Sequence, residues 1–247
     1  MKRGGCVRKY WIGLIVLAVV AGLGLQANRA FGFFLSDKGA QEVDIGKDAA
    51  SSLNVDVTFG AGNLQIEGGA EGWAEGVLDT NVKKWRPSVR YREKKGTGHL
   101  TIHQKMNAFG TMGKKRNDWT LRLTDEIPVD LRVDAAVAET NLDLAGIRLS
   151  RLSVDAGVGD MTVNLAGDWQ DGFDAKIDGG VGDLKVLLPK GTGVRVTVDK
   201  GLGTVDAEGF IDKGKGVYVN EAYEGAETVI ELKVDVGIGA VKFVLAD

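Results

Sequence analysis

The chain has 247 residues, 36 of them glycine and only 3 proline, with a formal net charge of −3. That length supports one large domain plus an anchor, or two small domains, and glycine without proline points to tight turns instead of a disordered linker. The single cysteine, Cys6, excludes an intramolecular disulfide and any thiolate metal cluster.

Lys2, Arg3, Arg8 and Lys9 make residues 1–9 a basic tail, after which no charge occurs from Tyr10 to Asn28. The uncharged core from Trp11 to Ala27 would extend roughly 25 Å as a helix, close to the thickness of the hydrocarbon layer. One transmembrane helix is therefore predicted over residues 10–30. The basic tail places the amino terminus in the cytoplasm and the rest of the chain outside it, in the cell membrane as a single-pass protein. A secretory signal peptide cut near Ala27 is the alternative, and it delivers the same residues to the same side. Cys6 lacks a lipobox and reads either as an ordinary thiol or as a palmitoyl acceptor. Residues 31–50 are polar and aperiodic and read as a tether.

Residues 51–128 contain "SVRYREKKGTGHLTIHQK" and "DWTLRLTDEIPVDLRV", alternating segments joined by glycine- and lysine-rich turns. They predict hairpins that cap the amino end of the fold, because an uncovered end would expose apolar core and unpaired strand edge. From Lys83 to Arg116 the only acid is Glu93. Lys83, Lys84, Trp85, Arg86, Arg90, Arg92, Lys114, Lys115 and Arg116 form a candidate contact surface, cations interleaved with apolar and aromatic residues. Outside the cytoplasm that mixture suits anionic lipid headgroups or anionic wall polymers and not nucleic acid. A solvated cationic face that balances an acidic remainder is the plainer alternative. His99 and His103, the only histidines, would lie roughly 13 Å apart on a strand, too far to chelate one ion.

Residues 129–247 repeat one phrase. "VDAGVGDMTVNL" from Val154 has relatives at Val55, Val133, Ile177, Val198 and Val234. The starts at 133, 154, 177 and 198 are 21, 23 and 21 residues apart, and the last lies 36 further on. Alternation on both sides of a glycine pair predicts two short strands with a sharp corner between them. The turn glycines are Gly157 and Gly159, Gly180 and Gly182, Gly201 and Gly203, Gly237 and Gly239. Stacked units without helix predict an all-β fold: a β-solenoid of roughly 21-residue rungs, each turn resting on the last. Val133, Leu142, Val154, Val163, Ile177, Val186, Val198, Val234 and Phe243 are among the predicted core residues. Asp56, Asp134, Asp155, Asp178, Asp199 and Asp235 should form a ladder facing water or satisfied by loop amides; calcium in the turns is the alternative, against which stands the absence of a nine-residue period. The chain stops just after its last strand, so that end is a candidate docking edge.

No G-x-S-x-G elbow, S-x-x-K or P-loop occurs, and no glycine pair continues to the third glycine of a dinucleotide fingerprint. No enzyme activity and no cofactor are expected. The run "IPVDLRVDAAVAETNLDLAGIRLSRLSVDAGVGDMTVNL", with "IDGGVGDLKVLLPKGTGVRVTVDKGLG" and "VDVGIGAVKFVL", resembles the toast-rack domain. That module is the bacterial β-solenoid of LiaF-type cell-envelope stress regulators and of adhesin-like proteins. The resemblance implies a non-enzymatic, membrane-associated binding or regulatory scaffold that modulates a sensor kinase or another envelope protein in the cell-envelope stress response; a surface adhesin or structural wall-associated protein without a signalling role is the alternative. LiaF-group members carry several membrane helices, whereas this chain shows one.

Overall fold

The computed structural model describes residues 39–105 and 115–246. All of them fall in the unit that spans Phe31–Asp247. Among the described residues no helix is long and apolar enough to cross a membrane; the predicted anchor at residues 10–30 lies outside them.

Among the described residues seventeen strands follow one another: β1 (Ala40–Ile45), β2 (Ser52–Glu67), β3 (Ala74–Thr80), β4 (Ser88–Lys94), β5 (Thr97–His103), β6 (Asn117–Leu123), β7 (Val129–Asp143), β8 (Leu149–Val158), β9 (Met161–Asn164), β10 (Phe173–Val181), β11 (Leu184–Pro189), β12 (Gly193–Leu202), β13 (Val205–Asp206), β14 (Ile211–Gly214), β15 (Val217–Val219), β16 (Val229–Ile238) and β17 (Val241–Ala246). A rung is a strand that runs along one face, turns a corner and continues along a second face. β2 and β7 make the turn unbroken, while β8–β9, β10–β11, β12–β13 and β16–β17 break there. Rungs pair in parallel on both faces. Side chains alternate in and out, so each rung supplies an inward residue at the same height. Val57, Val133, Val154, Ile177, Val234 and Val198 form one buried row. Leu121, Ile66, Leu142, Val163, Val186 and Phe243 form another on the second face. At about 1.5–3 kcal/mol for each fully buried aliphatic side chain, these rows are what holds the rungs together. The core residues predicted above are all buried.

Rung order departs from chain order. β16 pairs with β10 on one side and β12 on the other, and β17 lies between β11 and β13. The carboxy-terminal rung is thus inserted between two earlier ones, and the expectation that each turn rests on the last is corrected. The predicted docking edge at the carboxy terminus is corrected with it, since β17 is an interior strand. The true end is closed by the β14–β15 hairpin, antiparallel to β12. Buried Asn220 fastens this excursion: its amide donates to the carbonyls of Pro189, Lys190 and Thr192, and its oxygen accepts the Val194 N–H. The amino end repeats the device. β2 is a complete rung flanked by β7 and by β5 with β6, so parallel stacking runs straight through the region predicted as hairpins alone. The antiparallel partners β4 and β3, the latter carrying β1, close the stack.

Two further expectations change. Ala40–Ile45 is a strand with Val43 and Ile45 buried, not part of an aperiodic tether; only two apolar residues carry its alternation. Asp56 leaves the aspartate ladder, because Val57 and not Val55 aligns with Val133 and so Thr58 meets Asp134. The ladder is Asp134, Asp155, Asp178, Asp235 and Asp199, in that spatial order.

Candidate interaction surfaces

The basic residues gather on the amino-terminal edge. A 3₁₀ turn, Lys83–Trp85, leads through Arg86 and Pro87 into β4, the edge strand of the first face. Arg90, Arg92 and Lys94 project from β4, opposite Thr101, His99 and Thr97 of β5. Lys95 and Gly96 close that hairpin with φ of 54° and 80°, the left-handed pair of a two-residue turn. Lys115 places its ammonium 5.5 Å from the centre of the Trp85 ring, within cation–π range. The Trp85 carbonyl accepts from the Gln104 amide at 2.7 Å, and Gln104 also bonds Asn117 and the Gly60 N–H, which anchors the turn on the buried corner. The structure thus brings Lys83, Lys84, Trp85, Arg86, Arg90, Arg92 and Lys115 onto one strip. Seven residues of β4 alone extend it over roughly 20 Å. Arg116 is committed elsewhere, with its guanidinium 2.9 Å from Asp79, and Lys114 lies outside the described residues. Cations along an exposed edge also block pairing with a second sheet, so the strip has a structural use besides any ligand.

Asp48 ties this edge to the second face. Its carboxylate accepts from the Trp73 indole at 2.9 Å, the Ala50 N–H at 2.9 Å and the Tyr91 hydroxyl at 2.9 Å. Burial by itself would raise its pKa, but these three donors outweigh it and hold the pKa below the ordinary 3.8. For Tyr91, burial first and the Asp48 bond second push the hydroxyl well above its ordinary 10.0. A depressed carboxylate stabilises the fold above its unfolded pKa and loses that contribution as pH falls through the folded value. Asp48→Asn should therefore flatten the loss of stability below about pH 4 in denaturant titrations. An acid limb as steep as that of the wild type would exclude this role.

The corner glycines differ within each pair. Gly159, Gly182, Gly203 and Gly239 have φ of +136°, +146°, +145° and +153°. Their partners Gly157, Gly180, Gly201 and Gly237 do not adopt positive φ. They are glycine because a Cβ on Gly180 would sit 2.2 Å from the Gly157 carbonyl oxygen, and one on Gly157 would sit 2.4 Å from that of Ala136. Beyond the corner, the Asp160 carboxylate accepts the N–H of Asp183 at 3.0 Å, and Asp183 accepts that of Ala240 at 2.9 Å. These two stitch neighbouring rungs together; the repeat did not flag them because the residue after the second glycine varies from rung to rung, being Asp160, Asp183, Thr204 and Ala240. His99 and His103 share strand β5 and its outward face, and no group of three or more potential metal ligands occurs among the described residues.

A solved structure of a candidate cell adhesion protein from Clostridium sporogenes superimposes with a TM-score of 0.81 at 30% identity, covering 84% of this chain and 99% of that one. A candidate adhesin from Bacteroides fragilis covers 83% of this chain and 96% of its own at 11% identity, with a TM-score of 0.32. No curated protein matches the sequence. The family model described as the N-terminal domain of toast_rack, DUF2154, matches residues 35–187, and the chain belongs to that family.

Proposed function

We propose that the protein is a non-enzymatic binding scaffold of the bacterial cell surface, anchored by residues 10–30 and presenting its β-stack outside the cytoplasm. What carries the proposal is the cationic strip from Lys83 to Lys95, with Trp85 and Lys115 at one end. Ammonium and guanidinium groups beside an aromatic ring suit phosphate-bearing surfaces, either anionic lipid headgroups or anionic wall polymer. The similarity to a candidate cell adhesion protein over nearly its whole length favours attachment as the role. Modulation of a sensor kinase, as in LiaF-type regulators, is the second reading; it rests on the family and would require a partner in the same membrane.

The test is binding of the full chain to vesicles of anionic and of neutral lipid, and to purified anionic wall polymer. Retention by the anionic surfaces should fall steeply with salt. It should be lost when Lys84, Arg90 and Arg92 are changed to Glu. Equal retention on neutral vesicles, or none on either anionic surface, would remove the proposal.

A further inference from the structure

Two clefts open at the connectors that lead from the second face of one rung to the first face of the next. One, of about 340 Å³, lies between the β7–β8 connector and the β9–β10 connector, where Ile147, Arg148, Ser150, Asp168 and Trp169 help to line it. The other, of about 320 Å³, lies between residues 191–193 and residues 222–228. Trp169 lines both. Each has the size of a small-molecule site.

Trp169 is held in place between the two clefts. Its indole N–H donates to the Leu165 carbonyl at 2.8 Å, and its ring centre stands 4.6 Å from that of Phe173. Thr228 donates its hydroxyl to the Gln170 carbonyl at 3.2 Å, and the Arg148 guanidinium lies 3.9 Å from Asp171, so the 168–172 loop is tied on both sides. A Cβ on Gly172 would meet the Val229 carbonyl oxygen at 2.5 Å, a measure of how closely this loop lies against β16. Trp73 and Trp119 are buried, whereas Trp169 stays partly exposed with a cleft on each flank. An aromatic ring fixed before a ligand arrives costs little to order on binding.

The polar side chains left uncommitted on the two flanks are acceptors. Asp168 on one side and Glu227 on the other are exposed, with no side-chain hydrogen bond or ion pair among the described residues. Asp171 is taken up by Arg148 and Glu224 by Lys213. Arg148, the one cation lining either cleft among the described residues, also donates to the Glu126 carbonyl. A phosphate or uronate would therefore meet carboxylates without a free cation. β8, β10 and β16 are each paired on both edges, so no open strand edge is offered to a peptide. We propose that the two clefts, with Trp169 between them, bind a neutral oligosaccharide. The electron-rich indole face attracts the polarised C–H groups of a sugar ring, and the carboxylates accept its hydroxyls in charge-assisted hydrogen bonds. A ligand that reaches across the ring and presents donors to both flanks needs more than one sugar unit. The site is separate from the basic strip and stands whether or not that strip holds an anionic surface.

The test is isothermal titration of the full chain, held in an amphiphile without a sugar headgroup, with linear hexasaccharides of glucose, N-acetylglucosamine, galacturonate and glucosamine. At least one of the two neutral chains should bind, and more tightly than its own monosaccharide. Trp169→Ala should weaken that binding about tenfold. Gly191 lines one cleft, has open space around a built Cβ and no positive φ. Gly191→Leu therefore fills the cleft without strain and should weaken binding severalfold while melting with the wild type, which keeps the test valid if the alanine variant misfolds. No binding of either neutral chain, unchanged affinity in either variant, or tighter binding of the galacturonate or glucosamine chain overturns the proposal. So does displacement of the bound hexasaccharide by choline, since the indole would then be reading a cation.

Discussion

Gly182→Ala should cost about 4 kcal/mol of a stability that for a domain is typically 5–15. Two effects add. The residue holds φ at +146°, and the new Cβ would sit 2.1 Å from the Gly159 carbonyl oxygen. An unsuitable backbone conformation costs about 1–3 kcal/mol, and forcing atoms into a filled space about 1–3 more. The contact is with backbone, so no side-chain rotation relieves it. One rung would have to separate from the next, against parallel hydrogen bonds on both faces. Gly146 separates the two effects: its φ is +86°, but nothing lies within 4 Å of a Cβ built there. Gly146→Ala should therefore lose only about 1 kcal/mol, the conformational part alone. Denaturant midpoints of the two variants give the comparison, and equal losses would show that rung-to-rung packing plays no part in the choice of glycine.

The same glycines explain how much of the fold was legible. The strand–corner–strand unit, its inward residues and the stacking could be read because they repeat, and because period-two alternation fixes a face. What alternation cannot fix is a shift of two residues. Val55 and Val57 both point inward, so matching "VD" at Val55 to "VD" at Val133 selected a register two residues off. Gly60 and Gly62 were the better anchor, since Gly62 has φ of +128° and opens the corner as Gly159 does. Aligned on glycine, Thr58 takes the aspartate position and Asp56 falls outside the ladder, as observed.

The candidate surfaces were legible to different degrees. Clustering of cations between Lys83 and Lys95 showed in composition, but the loss of Arg116 to Asp79 needed the pairing of β3 with β6, which brings Thr80 opposite Asn117. The middle letter of each corner glycine pair from β8 onward is aliphatic and exposed: Val158, Val181, Leu202 and Ile238.

Rung order was not legible at all, for a physical reason: the rungs are nearly equivalent in their inward rows, so local chemistry does not say which stacks on which. This has the largest consequence in the molecule. In a solenoid wound in chain order, deleting the last rung leaves the remainder intact. Here, ending the chain after Thr228 removes β16 and β17 from the middle of the stack. The facing edges of β10 and β12 and of β11 and β13 lose their partners together, and buried Ile177, Val186 and Val198 are opened to water. The truncated chain should lose cooperative unfolding in its carboxy-terminal half. Its amides from β10 to β15 should exchange at nearly unfolded rates, while those of β2 and β7, paired with each other along their full length, stay protected. Hydrogen exchange resolved by segment is the measurement. Protection of β10 and β12 equal to that in the full chain would mean that β12 restacks directly on β10, and that connection geometry, not pairing preference, sets the native order.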